Sequence, residues 1–350
     1  MTALTAPARP LEDASVRPVP WRRMGWVTWR QHRFALTGVA ALLGAVAVYV
    51  WIAGRQLHHA YAAATACHPA GSPICSVLAS GFQSMDVQLA NGFVWQPLPA
   101  LIGAFVGAPV LARELETGTF RYAWTQGFGR WRWALAKLVL LAAMVATAAG
   151  AFSVLFSWYY QPYFAAGNQG RFVTALSPLA SGLFDLRGIA FAAWTLAAFA
   201  IGALAGVLIR RVVPAIVATL AAYAGLAFAV GTSLRQHYLT ALVTRNVNVP
   251  GSALILSQWW NKGGKFAFGR APISLLQQIC PPPPPGAGPG NFSKSGFVAH
   301  CLSQHGYTQW TSYQPASRFW PFQLIEGGWL LALSLLLIGS TIWLVRRRAA

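Results

Sequence analysis

Acidic residues are nearly missing from this chain: seven Asp and Glu in 350 residues, against 26 Lys and Arg. Charged residues of both signs make up only 9%, where soluble domains carry about 25%. A water-soluble fold of this length needs far more polar surface, so that class is excluded. Nucleotide-phosphate chemistry lacks its sequence signature as well. The Gly-x-x-x-x-Gly-Lys-[Ser/Thr] cradle has one distant echo at Gly264-Lys265, but Phe266 follows and Trp259 stands where the first glycine belongs. No Gly-x-Ser-x-Gly nucleophile turn occurs. A cleavable signal peptide is also not evident. The first 33 residues are polar, basic and proline-containing, and the first apolar run is long enough to stay as an anchor.

What is present is long apolar sequence: 56% hydrophobic residues and a mean hydropathy of +0.47. A bilayer-crossing helix needs about 20 mostly apolar residues. Six segments qualify: Phe34–Ala53, Phe93–Ala112, Ala134–Phe156, Ile189–Ile209, Val212–Thr232 and Phe322–Val345. With the N-terminus inside, 16 of the 26 basic residues fall in the short inner segments, including Arg22, Arg23, Arg113, Arg130, Arg210, Arg211 and Arg346–Arg348. The positive-inside rule therefore predicts that both termini are cytoplasmic. A net charge of +19 often signals nucleic acid. Here the basic residues cluster beside span ends, so topology and anionic lipid account for them and no nucleic-acid partner is expected.

All four cysteines, Cys67, Cys75, Cys280 and Cys301, fall in the predicted outer segments, in keeping with an oxidising compartment. Three pairings are possible. Topology favours Cys67–Cys75 and Cys280–Cys301, each within one loop, with free thiols as the alternative. The predicted organisation is an all-α membrane protein. Residues 1–33 form a cytoplasmic N-terminus with an amphipathic interfacial helix. Residues 34–232 form five spans, including a cytoplasmic loop at 113–133. Residues 233–321 form a small external subdomain, and 322–350 the sixth span with a basic tail. The subdomain carries Trp259-Trp260, a turn signal at Asn261–Gly264 and a stiff proline run at 281–285. Asn291-Phe-Ser293 matches a glycosylation sequon.

Within the spans, Gly103-Ala-Phe-Val-Gly107 and Gly202-Ala-Leu-Ala-Gly206 are small-xxx-small patterns that allow close backbone approach. Pro97, Pro99 and Pro109 interrupt the second span and can kink it. Before the first span, Arg22, Arg23, Arg30 and Arg33 share one helical arc with Trp26, opposite Trp21, Met24 and Val27; Trp29 lies in the same stretch. The pattern suits a helix on the inner leaflet, one that anchors to lipid and that can also touch a cytoplasmic partner.

The loop after the second span is richer than topology requires. Glu114 and Glu116 are two of the seven acids. Gly118 permits a turn, and Phe120, Tyr122, Trp124 and Phe128 follow before Arg130. Glu114-Leu-Glu-Thr-Gly-Thr119, then Gln126, Arg130 and Lys137, resembles the Glu-x-Glu-x-Gly-Thr loop of type-2 ABC exporter permeases. The six-span layout and the Trp-rich basic helix are similar to that family too. The Ala-, Gly-, Arg- and Trp-rich composition is similar to actinobacterial members. The motif covers about 25 residues, and the long Cys- and Pro-containing outer segment departs from the usual pattern.

The resemblance implies a permease homodimer or heterodimer in a bacterial plasma membrane, paired with ABC ATP-binding subunits. No cofactor is expected in this chain, and ATP and Mg are expected on the partner. It also implies a coupling helix in this loop, with Glu114, Glu116, Gly118 and Thr119 shaping the hinge and Gln126 and Arg130 near the motor. The region Trp21–Arg33 becomes the connecting helix.

Other candidates are weaker. His58, His59 and His68 near Cys67 and Cys75, and His300 and His305 beside Cys301, lack ligand spacing, so no metal site is expected. Glu326 falls one turn into the last span, where an acid by default suggests function; it is close enough to the outer boundary to reach headgroups or pair with Arg318. Asp86 and Asp185 read as external and solvated. The competing functional classes are an ion-gradient-driven transporter and a membrane-anchored sensor.

Overall fold

In the computed structural model, the described residues are 21–69, 72–84, 95–118, 130–169, 177–245, 249, 252–269, 278–280 and 295–348. Thr119, Gln126, Asp86, the proline run after Cys280 and the sequon at Asn291 lie outside them. Among the described residues, six helices are long and apolar enough to cross a membrane, and they fall on the six predicted spans. We label the elements α1 (Trp21–Ala66), α2 (Pro73–Ser84), α3 (Pro97–Thr117), α4 (Arg130–Gln169), α5 (Gly188–Ile209), α6 (Val212–Ala229), β1 (Leu242–Thr244), β2 (Leu254–Lys262), β3 (Lys265–Phe268), α7 (Ser295–Gln304), β4 (Tyr307–Gln314) and α8 (Phe319–Arg348).

Two helices outrun their spans. At 1.5 Å per residue, the 46 residues of α1 reach about 69 Å and the 40 of α4 about 60 Å, against a hydrocarbon core of about 30 Å. The segment Trp21–Arg33, read as an interfacial helix, is thus the beginning of one helix continuous with the first span. At their far ends α1 and α4 stay together beyond the apolar stretch. Gly54 faces the Trp158 ring with no room for a side chain. His58 stacks on that ring at 4.6 Å and bonds the Trp158 carbonyl at 3.0 Å. A cluster of buried aromatics, Phe82, Phe152, Phe156, Tyr159, Tyr160 and Tyr163, fills this end.

The centre is α5, mostly buried and packed by α3, α4, α6 and α8. Its contact with α3 is a mesh of the two small-residue motifs. A Cβ on Gly202 would lie 2.4 Å from the Gly103 carbonyl oxygen, and one on Gly206 would lie 2.5 Å from that of Ala108. Gly103 and Gly107 meet the backbones of Ala198 and Phe199 as closely. The motifs therefore serve packing within the chain. The prolines of α3 fit without breaking it. Pro97 and Pro99 sit at its start, where an N–H would have no helical partner anyway. Gly103–Gly107 forms a π-turn just before Pro109, an insertion that re-spaces the ladder.

The segment between α6 and α8 is built on a sheet. Four antiparallel strands run in the order β1-β4-β2-β3. Gly263 and Gly264, at φ 57° and 79°, make the two-residue hairpin turn between β2 and β3 that demands positive φ at both positions. Trp259 stacks on Trp310 across the ladder. The sheet is tied to the bundle by Gln314, which donates to the Leu239 carbonyl at 2.8 Å, and by Arg318, which donates to the Thr240 carbonyl at 2.6 Å. Cys67–Cys75 joins α1 to α2, and Cys280–Cys301 closes the segment before α7.

Candidate functional site

Two charged assemblies occupy opposite ends of the bundle. At the basic end, α3 finishes at Gly118, which adopts φ 72°, the left-handed conformation that ends a helix at low cost with glycine. Just before it, Glu114 turns inward and pairs with Lys137 of α4, which is 2% exposed and also lies 4.6 Å over the Trp133 ring. Glu116 reaches the other way. Its Oε2 accepts from the backbone N–H of Val212 at 3.0 Å. Val212 opens α6, so the carboxylate sits at a helix N-terminus, where free N–H groups and the helix dipole favour an anion. Arg210 makes this junction possible by taking φ 59° at the end of α5. One short stretch of α3 thus fixes the position of α4 and of α6.

Arg130 opens α4 across the undescribed segment that holds Thr119 and Gln126. Trp21, Arg22 and Arg23 lie on the first turn of α1. Trp26 and Trp29 are exposed, and Arg30 and Arg33 stack on Trp26 and Phe34 at 5.2 and 4.7 Å. Exposed indoles and guanidiniums on one stretch match a lipid-headgroup boundary or a docking face.

At the sheet end, Glu326 is fully buried. Its partner is Arg235, not Arg318, which is engaged by Gln314 and Thr240. Arg235 forks onto it: Nε donates to Oε2 at 2.9 Å and Nη2 to Oε1 at 2.7 Å, a bidentate pairing that strengthens charge-assisted bonds. Trp194 adds its indole N–H to Oε1 at 2.8 Å. The same Nη2 also bonds Asp185, which accepts a further bond from Gln96 at 3.2 Å. Asp185 is therefore not a solvated loop acid. Its side chain keeps 22% exposure, against 6% for Arg235 and none for Glu326. Burial raises the Asp185 carboxyl to about 7, with the Arg235 charge opposing and the Glu326 charge assisting.

The backbone around this cluster is also over-determined. Gln323 accepts from the Ala190 N–H at 2.8 Å and donates to the Phe184 carbonyl at 3.0 Å. Gly188, at φ 62°, has no space for a Cβ against the Gln323 side chain. Four elements converge here: the start of α3, the turn before α5, the end of α6 and the first turns of α8. A cavity of about 390 Å³ opens beside the cluster, lined by Gln96, Asp185, Trp194, Tyr223, Phe228 and Thr232 among others.

Asp185 and Arg235 escaped sequence reasoning. The available signal was scarcity: the four acids within the described residues, Glu114, Glu116, Asp185 and Glu326, all have a partner. Cys280, Cys301 and His305 lie close enough for a metal, but the two sulfurs are bonded to each other and offer no thiolate.

Residues 39–235 match the family model described as "ABC-2 membrane transporter related". No curated protein and no solved structure matches the chain.

Proposed function

Since the chain belongs to the ABC-2 membrane transporter related family, we propose that it is the permease subunit of an ATP-driven exporter whose motor is a separate ABC ATP-binding chain. ATP and Mg bind to that partner, and two permease subunits, identical or related, form the pathway. The basic end faces the cytoplasm of a bacterial cell, a reading its arginines support, and the sheet faces outward with the disulfides. Partner chains closing on ATP push on the loop between α3 and α4. The permease responds by exchanging two conformations that bind cargo differently, because a ligand shifts an equilibrium only through differential affinity.

The observation that carries this reading is the elbow at Glu114, Glu116 and Gly118. A loop that served topology alone would need only its arginines. Here its acids tie the start of the loop to α4 through Lys137 and to α6 through Val212, so a displacement of the loop is felt by two spans at once. Trp21–Arg33 supplies a second contact for the motor or the inner leaflet.

The test is co-purification in mild detergent from the native host with an ATPase assay. Glu114 is a poor residue to remove, because Lys137 would remain buried without its partner. Arg130→Glu and Gln126→Ala address the loop itself. Wild type retaining an ATP-binding chain that these variants lose supports the reading. A complex that never contains an ATP-binding chain sinks it.

The buried Arg235–Glu326–Asp185 cluster favours one competing reading, a transporter driven by an ion gradient, since such proteins place ionisable groups inside the bundle. Transport that survives Glu326→Gln but stops without the ATP-binding chain rejects that alternative. The reverse outcome selects it.

A further inference from the structure

We propose that the cavity beside the Arg235–Glu326–Asp185 cluster binds a lipophilic organic cation, a quaternary ammonium or phosphonium centre carried on an apolar body. The inference deepens the permease reading by naming a cargo class, and it rests on that reading only for the cavity's place in transport.

Charge is the first argument. Two carboxylates share one guanidinium, so the cluster in its ionised form carries one negative charge too many. Geometry places that excess in the cavity. Glu326 is buried and occupied by Arg235 and Trp194, whereas Asp185 lines the cavity wall and Arg235 and Glu326 do not. An ionised carboxylate has about four acceptor positions. The bonds from Arg235 and Gln96 take two, which leaves part of the carboxylate's negative charge free to attract a cation. No Lys, Arg or His is among the described residues lining the space, so no cationic side chain there would neutralise an anion.

The walls suit the rest of such a molecule. Trp194 and Tyr223 stand edge to face, 5.5 Å apart, and aromatic rings attract cations through their quadrupole. Phe228, Ala227 and Leu186 supply apolar surface. The volume falls within the range of about 300–1,000 Å³ typical of small-molecule pockets. The groups facing Asp185 from the packed elements are Arg235 after α6, Glu326 on α8 and Tyr223 on α6. The raised Asp185 carboxyl fits an acid whose ionised form lacks full compensation until a cation arrives, and it makes protons competitors of the ligand.

The experiment uses the full chain in phosphatidylcholine/phosphatidylglycerol nanodiscs. The probes are radiolabelled tetraphenylphosphonium and its anionic analogue of the same shape, tetraphenylborate, with empty nanodiscs subtracted. Saturable binding of the phosphonium and not of the borate is expected, weakening as pH falls through about 7. Asp185→Asn should weaken it at least about tenfold, the equivalent of about 1.4 kcal/mol. Ala224→Trp, at an exposed cavity-lining position that is not a member of the ion pairs, should block it while leaving the charged groups themselves in place, so the test stands even if Asp185→Asn fails to fold. Equal binding of both ions, no saturable phosphonium binding, or unchanged binding in Ala224→Trp would overturn the proposal. The assay contains no ATP-binding chain, so its failure leaves the permease reading standing, and loss of the motor in the co-purification leaves the cation site standing.

Discussion

Replacing Gly202 with alanine should loosen the centre of the bundle, although alanine is the better helix former. The added Cβ would lie 2.4 Å from the Gly103 carbonyl oxygen, 2.8 Å from the Ala108 nitrogen and 3.0 Å from the Gly107 carbonyl carbon. All three are backbone atoms, so no side chain can rotate aside. Ordinary van der Waals contact begins at 3.4 Å, so α3 and α5 must part by about 1 Å locally, and a gap of that size forfeits a quarter to a half of each dispersion well along the seam. Overpacking of this kind costs about 1–3 kcal/mol. Gly225 is the control, since a Cβ there meets nothing within 4 Å and alanine should stabilise α6 by up to about 1 kcal/mol. Unfolding by sodium dodecyl sulfate titration in mixed micelles, followed by tryptophan fluorescence, should place Gly202→Ala below wild type and Gly225→Ala level with it or above. The Gly103→Ala, Gly202→Ala double variant should cost less than the sum, because one separation of the helices relieves both clashes. A Gly202→Ala chain as stable as Gly225→Ala would refute the seam.

Arg235→Met should be far more damaging than Glu326→Gln, because it leaves two carboxylates facing each other in a buried site. Removing one partner of a buried pair costs about 3–5 kcal/mol, and the same titration would show two small and similar losses if the cluster were merely solvated. Stability should also depend on pH through Asp185. Its folded value, about 7, lies above the ordinary carboxylate range, so the folded state binds the extra proton and stability falls as pH rises from about 4 to about 7, then levels. Thermal unfolding of Asp185→Asn should lack that slope, and an identical slope in the variant would assign it to another group. Reduction of Cys280–Cys301, which spans 21 positions, should remove about 3 kcal/mol of loop-closure stabilisation. Limited proteolysis between those cysteines should accelerate while the spans stay protected; unchanged cleavage would mean the bridge does not restrain the segment.

The six spans were legible because an apolar stretch of bilayer length is a direct physical requirement. Their ends were not, because helical hydrogen bonding does not stop where lipid does. Beyond Ala53 the sequence Gly54-Arg-Gln-Leu-His58 reads as loop, yet the helix continues because Leu57 and His58 find α4 to pack against. The small-residue motifs announced close packing without naming their partner, which turned out to be each other. The disulfides followed from topology. The sheet did not, because β2 owes its register to β4, more than forty residues away and beyond the proline run. The acids show the same limit. Glu114 and Glu116 stood out by motif, whereas the partners Lys137 and Val212 come from other helices. Asp185, Arg235 and Glu326 share no local pattern, and only the convergence of four elements brings them together.

Glu116 holds one end of the fifth span and Arg235 stands at the other. Between them runs a helical rod of 26 residues, Val212–His237, about 39 Å long. Each end is gripped by charge from a different part of the chain, the near end by a carboxylate on its first N–H and the far end by two carboxylates on its guanidinium. Such a rod works as a pushrod: it cannot shift along its axis without straining the ion cluster at the opposite membrane face. Cutting the near grip with Glu116→Ala should therefore alter the pH dependence set by Asp185, and a pH profile indifferent to Glu116 would mean that the two ends work independently.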